Sequence, residues 1–183
     1  MSILHEFVSL IEGEFNNSQQ IEELKALGRT DFPFAEHVNT VCNEKITDIP
    51  PDFEGIFMVE ESYYTSNGHT HSSPHLFCFT EHDGVVTLSS YDIPGKTKDF
   101  SWKTMESVSF NDLQKSLKFT PAEYRLQDGI WEGGSVSMFS PVLKFSLFER
   151  FSPEQLEVSE SMEMNGKKTF GFDQPIIYKR KSR

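Results

Sequence analysis

The spacing of apolar residues along the chain is helical at the start. It predicts a helix over residues 2–12, with Ser2 as its N-cap and Gly13 at its end. A second short helix is predicted over residues 19–27, with Ser18 as its cap. The apolar residues at this spacing are Leu4, Phe7, Val8 and Ile11 in the first helix and Ile21, Leu24 and Leu27 in the second.

After about residue 34 the apolar period changes to two, which is typical of strands. The clearest alternation runs through residues 156–164. The dipeptides Asp83-Gly84, Asp128-Gly129 and Asn165-Gly166 lie between apolar runs and predict hairpin turns, and Ser152-Pro153 predicts another turn. The strand candidates are residues 53–65, 74–81, 85–93, 122–126, 130–139, 143–148, 156–164 and 168–178.

Eight or nine strands in series, mostly joined by short turns, predict one antiparallel sheet. Such a sheet tends to close into a barrel because closure removes its unpaired edges, and an eight-stranded barrel leaves room for one small ligand. A two-sheet sandwich remains an alternative. The expected organisation is a single domain over 1–183, with a helical start (1–30), a barrel (34–178) and a solvated basic tail (179–183). Residues 94–102 are predicted to be an exposed connection.

Composition narrows the classes of partner. The chain of 183 residues carries a net charge of −11, which argues against binding to nucleic acid or to anionic membranes. Its 17 Phe residues bring large apolar area to a core or a pocket. The two cysteines, Cys42 and Cys78, predict no disulfide framework. Without a signal peptide or an apolar stretch of membrane-spanning length, the expected location is the cytoplasm.

Acidic and tyrosine residues alternate in the segment 59–64. Neighbouring side chains of a strand point to opposite faces, so one Glu and one Tyr must point inward whichever face is buried. A carboxylate and a tyrosine hydroxyl can orient a polar group of a ligand or move a proton. A half-exposed strand with Tyr at the rim is the alternative. The residues concerned are Glu60, Glu61, Tyr63 and Tyr64.

Glu160 shares the inward parity of the apolar residues in 156–164. If the chain turns at Ser152-Pro153, this face meets Phe145, Leu147 and Glu149. A carboxylate on an apolar face is costly unless it is paired, so Glu160 is a candidate pocket residue. The alternatives are a strand that twists outward there, or a structural pair with Arg125 or Arg150.

Three histidines, His69, His71 and His75, offer a metal site, because His69 and His71 would share one face of a strand. The alternative is a polar hairpin loop with solvated histidines. Neither a zinc-protease motif nor a cysteine pair accompanies them, so no metal is predicted. The chain also lacks the phosphate-loop, dinucleotide-binding and nucleophile-elbow motifs.

Several segments resemble the CpcT/CpeT chromophore lyases. Ile11–Gln20 is similar to the start of that family, and Phe57–Tyr63 is similar to its apolar strand that ends in Glu-Gln-x-Tyr. Ser73–Phe77 lies where the family has Pro-Tyr-Arg, Val85–Tyr91 looks like its next strand, and Gly171–Ile176 resembles its closing strand. Three departures are clear: His75 stands near the family's Arg, no cysteine follows Cys78, and the family's Asp-Arg-Gly segment near the end is absent.

The resemblance implies an antiparallel lipocalin-like (calycin) β-barrel, preceded by short N-terminal helices. It also implies a bilin lyase-like or bilin-binding protein that holds an open-chain tetrapyrrole and assists its attachment to a phycobiliprotein. Tyr63 and Glu60 would handle protons, which leaves a chromophore lyase activity open. The residues expected to contact the ligand are His75, Glu61, Tyr64, Tyr91, Glu160 and Trp131.

Two other functions stay open. One is a non-catalytic barrel for another lipophilic molecule, such as a fatty acid, haem or isoprenoid. The other is a barrel filled by Phe side chains that serves as a protein-interaction factor without a ligand. The sequence does not decide which ligand is bound, whether the protein catalyses a reaction, or whether it is a monomer or a homodimer.

Overall fold

Ten antiparallel strands close into a barrel in the computed structural model, which describes residues 2–96 and 99–181. The helices are α1 (Ile3–Ile11) and α2 (Ser18–Ala26). The strands are β1 (Gly13–Asn16), β2 (Phe34–Val41), β3 (Ile46–Thr47), β4 (Ile56–Ser66), β5 (His69–His82), β6 (Val85–Tyr91), β7 (Val108–Ser109), β8 (Ala122–Gln127), β9 (Ile130–Met138), β10 (Leu143–Phe151), β11 (Leu156–Met164), β12 (Lys167–Gly171) and β13 (Ile176–Arg180).

The order of strands around the barrel is β1, β2, β4, β5, β6, β8, β9, β10, β11 and β13, and β13 returns to β1. The pairing of β10 with β11 closes the barrel. It runs from Leu143 opposite Met164 to Phe151 opposite Leu156. β12 pairs with the second half of β11, and β3 and β7 form a short parallel pair apart from the barrel. The predicted antiparallel β-barrel is therefore confirmed.

The hairpin turns lie where the sequence predicts them. Asp83, Asp128 and Asn165 have φ values of 50°, 50° and 51°, and a glycine with positive φ follows each of them. Two successive residues in the left-handed region match the right-handed twist of the flanking strands. These dipeptides therefore fix the register of their hairpins, and with it which side chains face inward.

Several predicted elements differ from the structure. The barrel has ten strands rather than eight or nine, because β1 and β2 also take part. The predicted strand 168–178 is interrupted before Pro175, which has no backbone N–H to donate to a ladder, and becomes β12 and β13. The N-cap of α2 is Asn17 rather than Ser18. Lys179 and Arg180 belong to β13 rather than to a tail, while residues 182–183 lie outside the described residues.

α1 closes one end of the barrel. Its residue Leu4 and three further apolar residues are buried, and the Ser2 side chain accepts a hydrogen bond from the backbone N–H of His5. The Phe7 ring is fully buried, and its centroid lies 5.1 to 5.7 Å from four aromatic rings of the barrel. These rings belong to Phe79, Tyr124, Trp131 and Phe151.

A second apolar cluster lies outside the barrel, over the outward faces of β4, β5 and β6. There Phe57 and Val59 are covered by Phe100 and Met105 from the segment between β6 and β8. Phe100 is buried, so the prediction that 94–102 is wholly exposed is wrong, because outward apolar residues of β4 require a cover. Residues 97–98 of that segment lie outside the described residues.

Helices long and apolar enough to cross a membrane are absent from the described ranges 2–96 and 99–181.

We expect Phe7→Ala to lower the free energy of unfolding by about 3–5 kcal/mol, because it leaves a cavity among aromatic rings. Urea denaturation measures this. The control is Ile3→Ala on the exposed side of the same helix, which should cost less than about 1 kcal/mol. Equal effects of the two variants would show that α1 does not seal the barrel.

Candidate functional site

The interior of the barrel contains a cavity of about 80 Å³. This is several times the roughly 15 Å³ that a single water molecule needs. Its wall is mostly apolar, with a small number of polar side chains on the inward faces of the strands. The polar residues that line it are His37, Asn39, Glu60, His75, Ser90, Thr120, Ser135, Glu149 and Glu160.

β4 sends its acidic and tyrosine residues to both faces. Glu60 lines the cavity and Tyr64 packs against the barrel core. Glu61 and Tyr63 lie on the outer face, where the Tyr63 hydroxyl donates to Glu61 Oε2 at 2.8 Å. Glu60 and Tyr63, which the family resemblance implies as proton-handling residues, therefore lie on opposite faces of β4, because an odd separation along a strand changes the face.

Glu61 is held outside the barrel by a second contact. Its Oε1 accepts a hydrogen bond from the backbone N–H of Trp102 at 3.2 Å. Burial and the hydrogen bond to Glu61 raise the pKa of Tyr63 to about 12, so its hydroxyl stays protonated at neutral pH. Glu61 and Tyr63 therefore hold the outer segment onto β4 and do not reach the cavity.

Glu60 lies at the centre of an inward polar row. The strand register places Asn39 on one side of it and His75 on the other. Burial raises the pKa of the Glu60 carboxyl, and His75 acts in the opposite direction. Burial likewise lowers the pKa of His75, which Glu60 partly offsets. Both pKa shifts favour the uncharged forms of the Glu60 carboxyl and the His75 imidazole.

His37 adds a buried imidazole beside this row. Its Nδ1 lies 3.6 Å from Glu60 Oε2, beyond hydrogen-bond range, and its Nε2 lies 3.0 Å from the Tyr178 hydroxyl. Burial lowers the pKa of His37 to about 3, so the imidazole is neutral and the contact with Glu60 is not an ion pair near pH 7. His37 therefore contributes a polar contact and no positive charge.

Glu160 faces the interior, as its parity predicts. It lies opposite Leu147 in the strand register, and its Oε2 accepts a hydrogen bond from the Tyr64 hydroxyl at 3.3 Å. Burial is the main cause that raises its pKa to about 7, and Glu60 adds to the effect. The alternative of a pair with Arg150 or Arg125 is wrong.

Both arginines are paired with other residues. Arg150 pairs with Glu132 at 2.7 Å and Glu157 at 3.5 Å, while Arg125 pairs with Glu123 at 3.2 Å. Among the side chains that the structure describes, no lysine or arginine lines the cavity. The inward carboxyl groups therefore lack a cationic partner from that set.

Glu149 is the inward carboxyl that the sequence did not single out. It accepts a hydrogen bond from the buried Tyr124 hydroxyl. Burial raises its pKa to about 8, the Tyr124 hydrogen bond opposes this, and the charges of Glu60 and Glu160 add to the rise. Glu149 is four residues from Phe145 on the same strand, and this even spacing already indicates that both side chains face inward.

The side-chain oxygen of Asn39 is a hydrogen-bond acceptor to which no described group donates. Its Nδ2 donates to the backbone carbonyl of Ile11 at 2.8 Å, which fixes the orientation of the amide. Its Oδ1 is buried and has no hydrogen-bond partner within the described part of the chain. Most buried polar atoms of proteins do have a partner, so this oxygen is an unused hydrogen-bond acceptor beside the cavity.

The other predicted contact residues divide between the faces. His75 lies in the cavity wall, where its ring stacks on Phe77 at 5.3 Å. Trp131 faces inward but packs against Phe7 at the sealed end, away from the cavity lining. Tyr91 lies in the outer cluster against Phe57, with 5.4 Å between ring centroids, because its parity in β6 points outward.

His69 and His71 begin β5 and are exposed, so this segment is strand rather than the hairpin loop that was the alternative to a metal site. Within the described ranges, no group of three or more His, Cys, Asp or Glu residues is arranged to hold a metal ion.

The arrangement can accept hydrogen bonds and exchange protons. Glu149 and Glu160 change protonation near neutral pH, so a bound group that donates or carries positive charge would favour their ionised forms. The tyrosines and neutral imidazoles extend these contacts. No protein-family model, curated protein or solved structure matches the chain.

We expect the free energy of unfolding to fall as pH rises from about 6.5 to 8. Folded Glu149 keeps its proton up to a pKa of about 8, whereas in the unfolded chain it has the ordinary value of 4.5. The folded state then binds more protons over this window, which lowers stability by up to about 1.4 kcal/mol per pH unit for each such proton.

The buried histidines act in the opposite direction but at lower pH. His37 has a folded pKa of about 3 against an ordinary 6.5, so its unfolded state binds more protons only below about pH 6.5. Urea denaturation at a series of pH values measures the net slope. Glu149→Gln should flatten it above pH 6.5, and Glu154→Gln, at an exposed turn, should not. A wild-type slope of zero would contradict the raised pKa.

Proposed function

We propose that this protein is a lipocalin-like binding barrel that holds one small, largely apolar molecule in its interior. The cavity in the closed barrel is the observation that carries the proposal. Binding sites for small molecules are typically concave and mostly apolar, with a few convergent polar groups that fix orientation. The inward faces of β4, β5, β10 and β11 supply this combination.

The two ends of the barrel differ in a way that supports binding. α1 seals one end with the Phe7 aromatic cluster. The cavity also reaches Phe119 and Thr120 in the segment before β8, and Thr120 is exposed to solvent. A ligand would therefore enter beside this segment and place its far end toward α1.

The open interior disfavours the hypothesis of a filled barrel without a ligand. That hypothesis needs Phe side chains to occupy the whole interior. Phe77, Phe79 and Phe145 do face inward, but they line a cavity instead of filling it. Small inward residues such as Ser135 and Ala122 leave this space.

We expect Ser135→Phe to abolish binding of 1-octanol and 2-naphthol, a linear and a flat apolar probe, because the added ring fills the cavity. Isothermal titration calorimetry measures this. The matched control is Val136→Phe, the neighbouring residue on the outer face, which is 55 % exposed and should bind like the wild type.

Native mass spectrometry of protein purified from its own host tests the same proposal without a chosen probe, since a bound molecule adds its mass to the folded chain. The proposal fails if the folded wild type binds neither probe and carries no host molecule. It also fails if Val136→Phe loses binding as fully as Ser135→Phe.

A bilin is a narrower candidate. Its pyrrole N–H groups are donors that would match the inward oxygens of Glu60 and Glu149. Lys118 lies with His75 and Phe119 around an adjoining surface pocket, on the side where the bilin propionates would remain. A bilin held at this open side would remain accessible to a phycobiliprotein acceptor, to which it would then be attached.

We expect phycocyanobilin to change its visible absorption band on mixing with the wild type, because a fixed conformation and fixed hydrogen bonds alter its conjugation. Absorption spectroscopy measures the change, and Ser135→Phe should remove it while Val136→Phe keeps it. An unchanged band with wild-type protein that binds 1-octanol would exclude the bilin and leave the apolar binding function in place.

A further inference from the structure

Polar groups in the cavity are dominated by oxygen atoms that accept hydrogen bonds. We propose that the ligand presents a positively charged, hydrogen-bond-donating nitrogen, a protonated amine, to the inward carboxyl groups and to the orphaned Asn39 oxygen. This inference rests on the proposed binding function and specifies the polar end of the ligand. The four residues that would receive the amine are Asn39, Glu60, Glu149 and Glu160.

The carboxyl groups come from three strands and face one volume. Glu60 lies on β4, Glu149 on β10 and Glu160 on β11, and all of them line the cavity. Because the three carboxyl groups line the same cavity, the charge of Glu60 raises the pKa of both of the others. Like charges brought together in an apolar chamber are unfavourable unless a cation or protons neutralise them.

The protein supplies hydroxyl donors to this group but no cation among the described lining residues. Tyr124 donates to Glu149 and Tyr64 donates to Glu160, so each of these carboxyls keeps at least one further acceptor site. The Glu60 side chain lines the same cavity and is 19 % exposed.

Asn39 is an independent indication of the same donor. The residue is 4 % exposed, and its Oδ1 has no hydrogen-bond partner within the described ranges. The register of β2 and β4 sets it directly beside Glu60. Because Nδ2 is already committed to the Ile11 carbonyl, the free position can accept a hydrogen bond but cannot donate one.

An ammonium group fits these requirements better than a neutral or anionic group. It has three donors and no acceptor, whereas a hydroxyl adds an acceptor lone pair and a carboxylate adds negative charge. The carbon chain of the amine would lie against the apolar wall formed by Phe77, Phe145 and Leu147. The cavity therefore combines an apolar wall with an acidic end.

Three eight-carbon probes with different head groups test the inference. Calorimetric titration near neutral pH compares octylamine, 1-octanol and octanoate against the wild-type protein. We expect octylamine to bind about tenfold or more tightly than 1-octanol, because charge-assisted hydrogen bonds are the stronger ones, and octanoate to bind most weakly.

Variants separate the cavity carboxyls from the general negative charge of the surface. Glu149→Gln and Glu160→Gln should each reduce the octylamine-to-octanol preference severalfold. Glu154→Gln makes the same substitution at an exposed turn and should leave the preference unchanged. Circular dichroism confirms that each variant is folded before its titration is interpreted.

The outcomes distinguish the inference from the function on which it rests. Equal binding of octylamine and 1-octanol, or a preference for octanoate, would overturn the inference that the ligand carries an amine. The proposed apolar binding function would then still stand. The inference of an amine is also overturned if Glu154→Gln reduces the preference for octylamine over 1-octanol as much as Glu149→Gln does. Failure of all three probes to bind the folded wild type overturns both.

Discussion

The pairing of β10 with β11 is the constraint on which the rest of the structure depends. It closes ten strands into a barrel, so that alternate residues of every strand are committed to one enclosed interior. In an open sheet, Glu149 and Glu160 would remain near bulk water and keep ordinary pKa values. Closure instead places them with Glu60 in a cavity sealed at one end by α1, where burial favours their protonated forms.

The acidic interior and the apolar core are in tension, and the structure relieves the tension only in part. Tyr124 and Tyr64 donate to two of the carboxyls, and His37 stays neutral beside the third. Asn39 keeps an oxygen without a donor in the same wall. Apolar residues at these positions would avoid the cost of burying carboxyl groups, so the polar row supports the proposed binding function.

Much of the fold could be predicted from sequence, because hairpin turns are local. Asp83-Gly84, Asp128-Gly129 and Asn165-Gly166 fix register through backbone conformation, and parity then places Glu160 inward. The partners of β1 and the sealing of the barrel by Phe7 depend on contacts distant in sequence. For the same reason the pattern of residues 59–64 left the inward face open. Tyr63, Glu61 and Tyr91 lie outward, where apolar neighbours covered by Phe100 resemble inward ones.

The central claim is that carboxyl groups enclosed by the barrel retain protons at neutral pH and are available to a ligand. Nuclear magnetic resonance of protein with ¹³C-labelled glutamate carboxyl carbons tests this directly, because each carboxyl shift follows its own protonation. The account predicts a resonance that titrates near pH 8, is lost in Glu149→Gln and has no counterpart among surface glutamates. Titration of every glutamate near the ordinary pKa of 4.5 would contradict it.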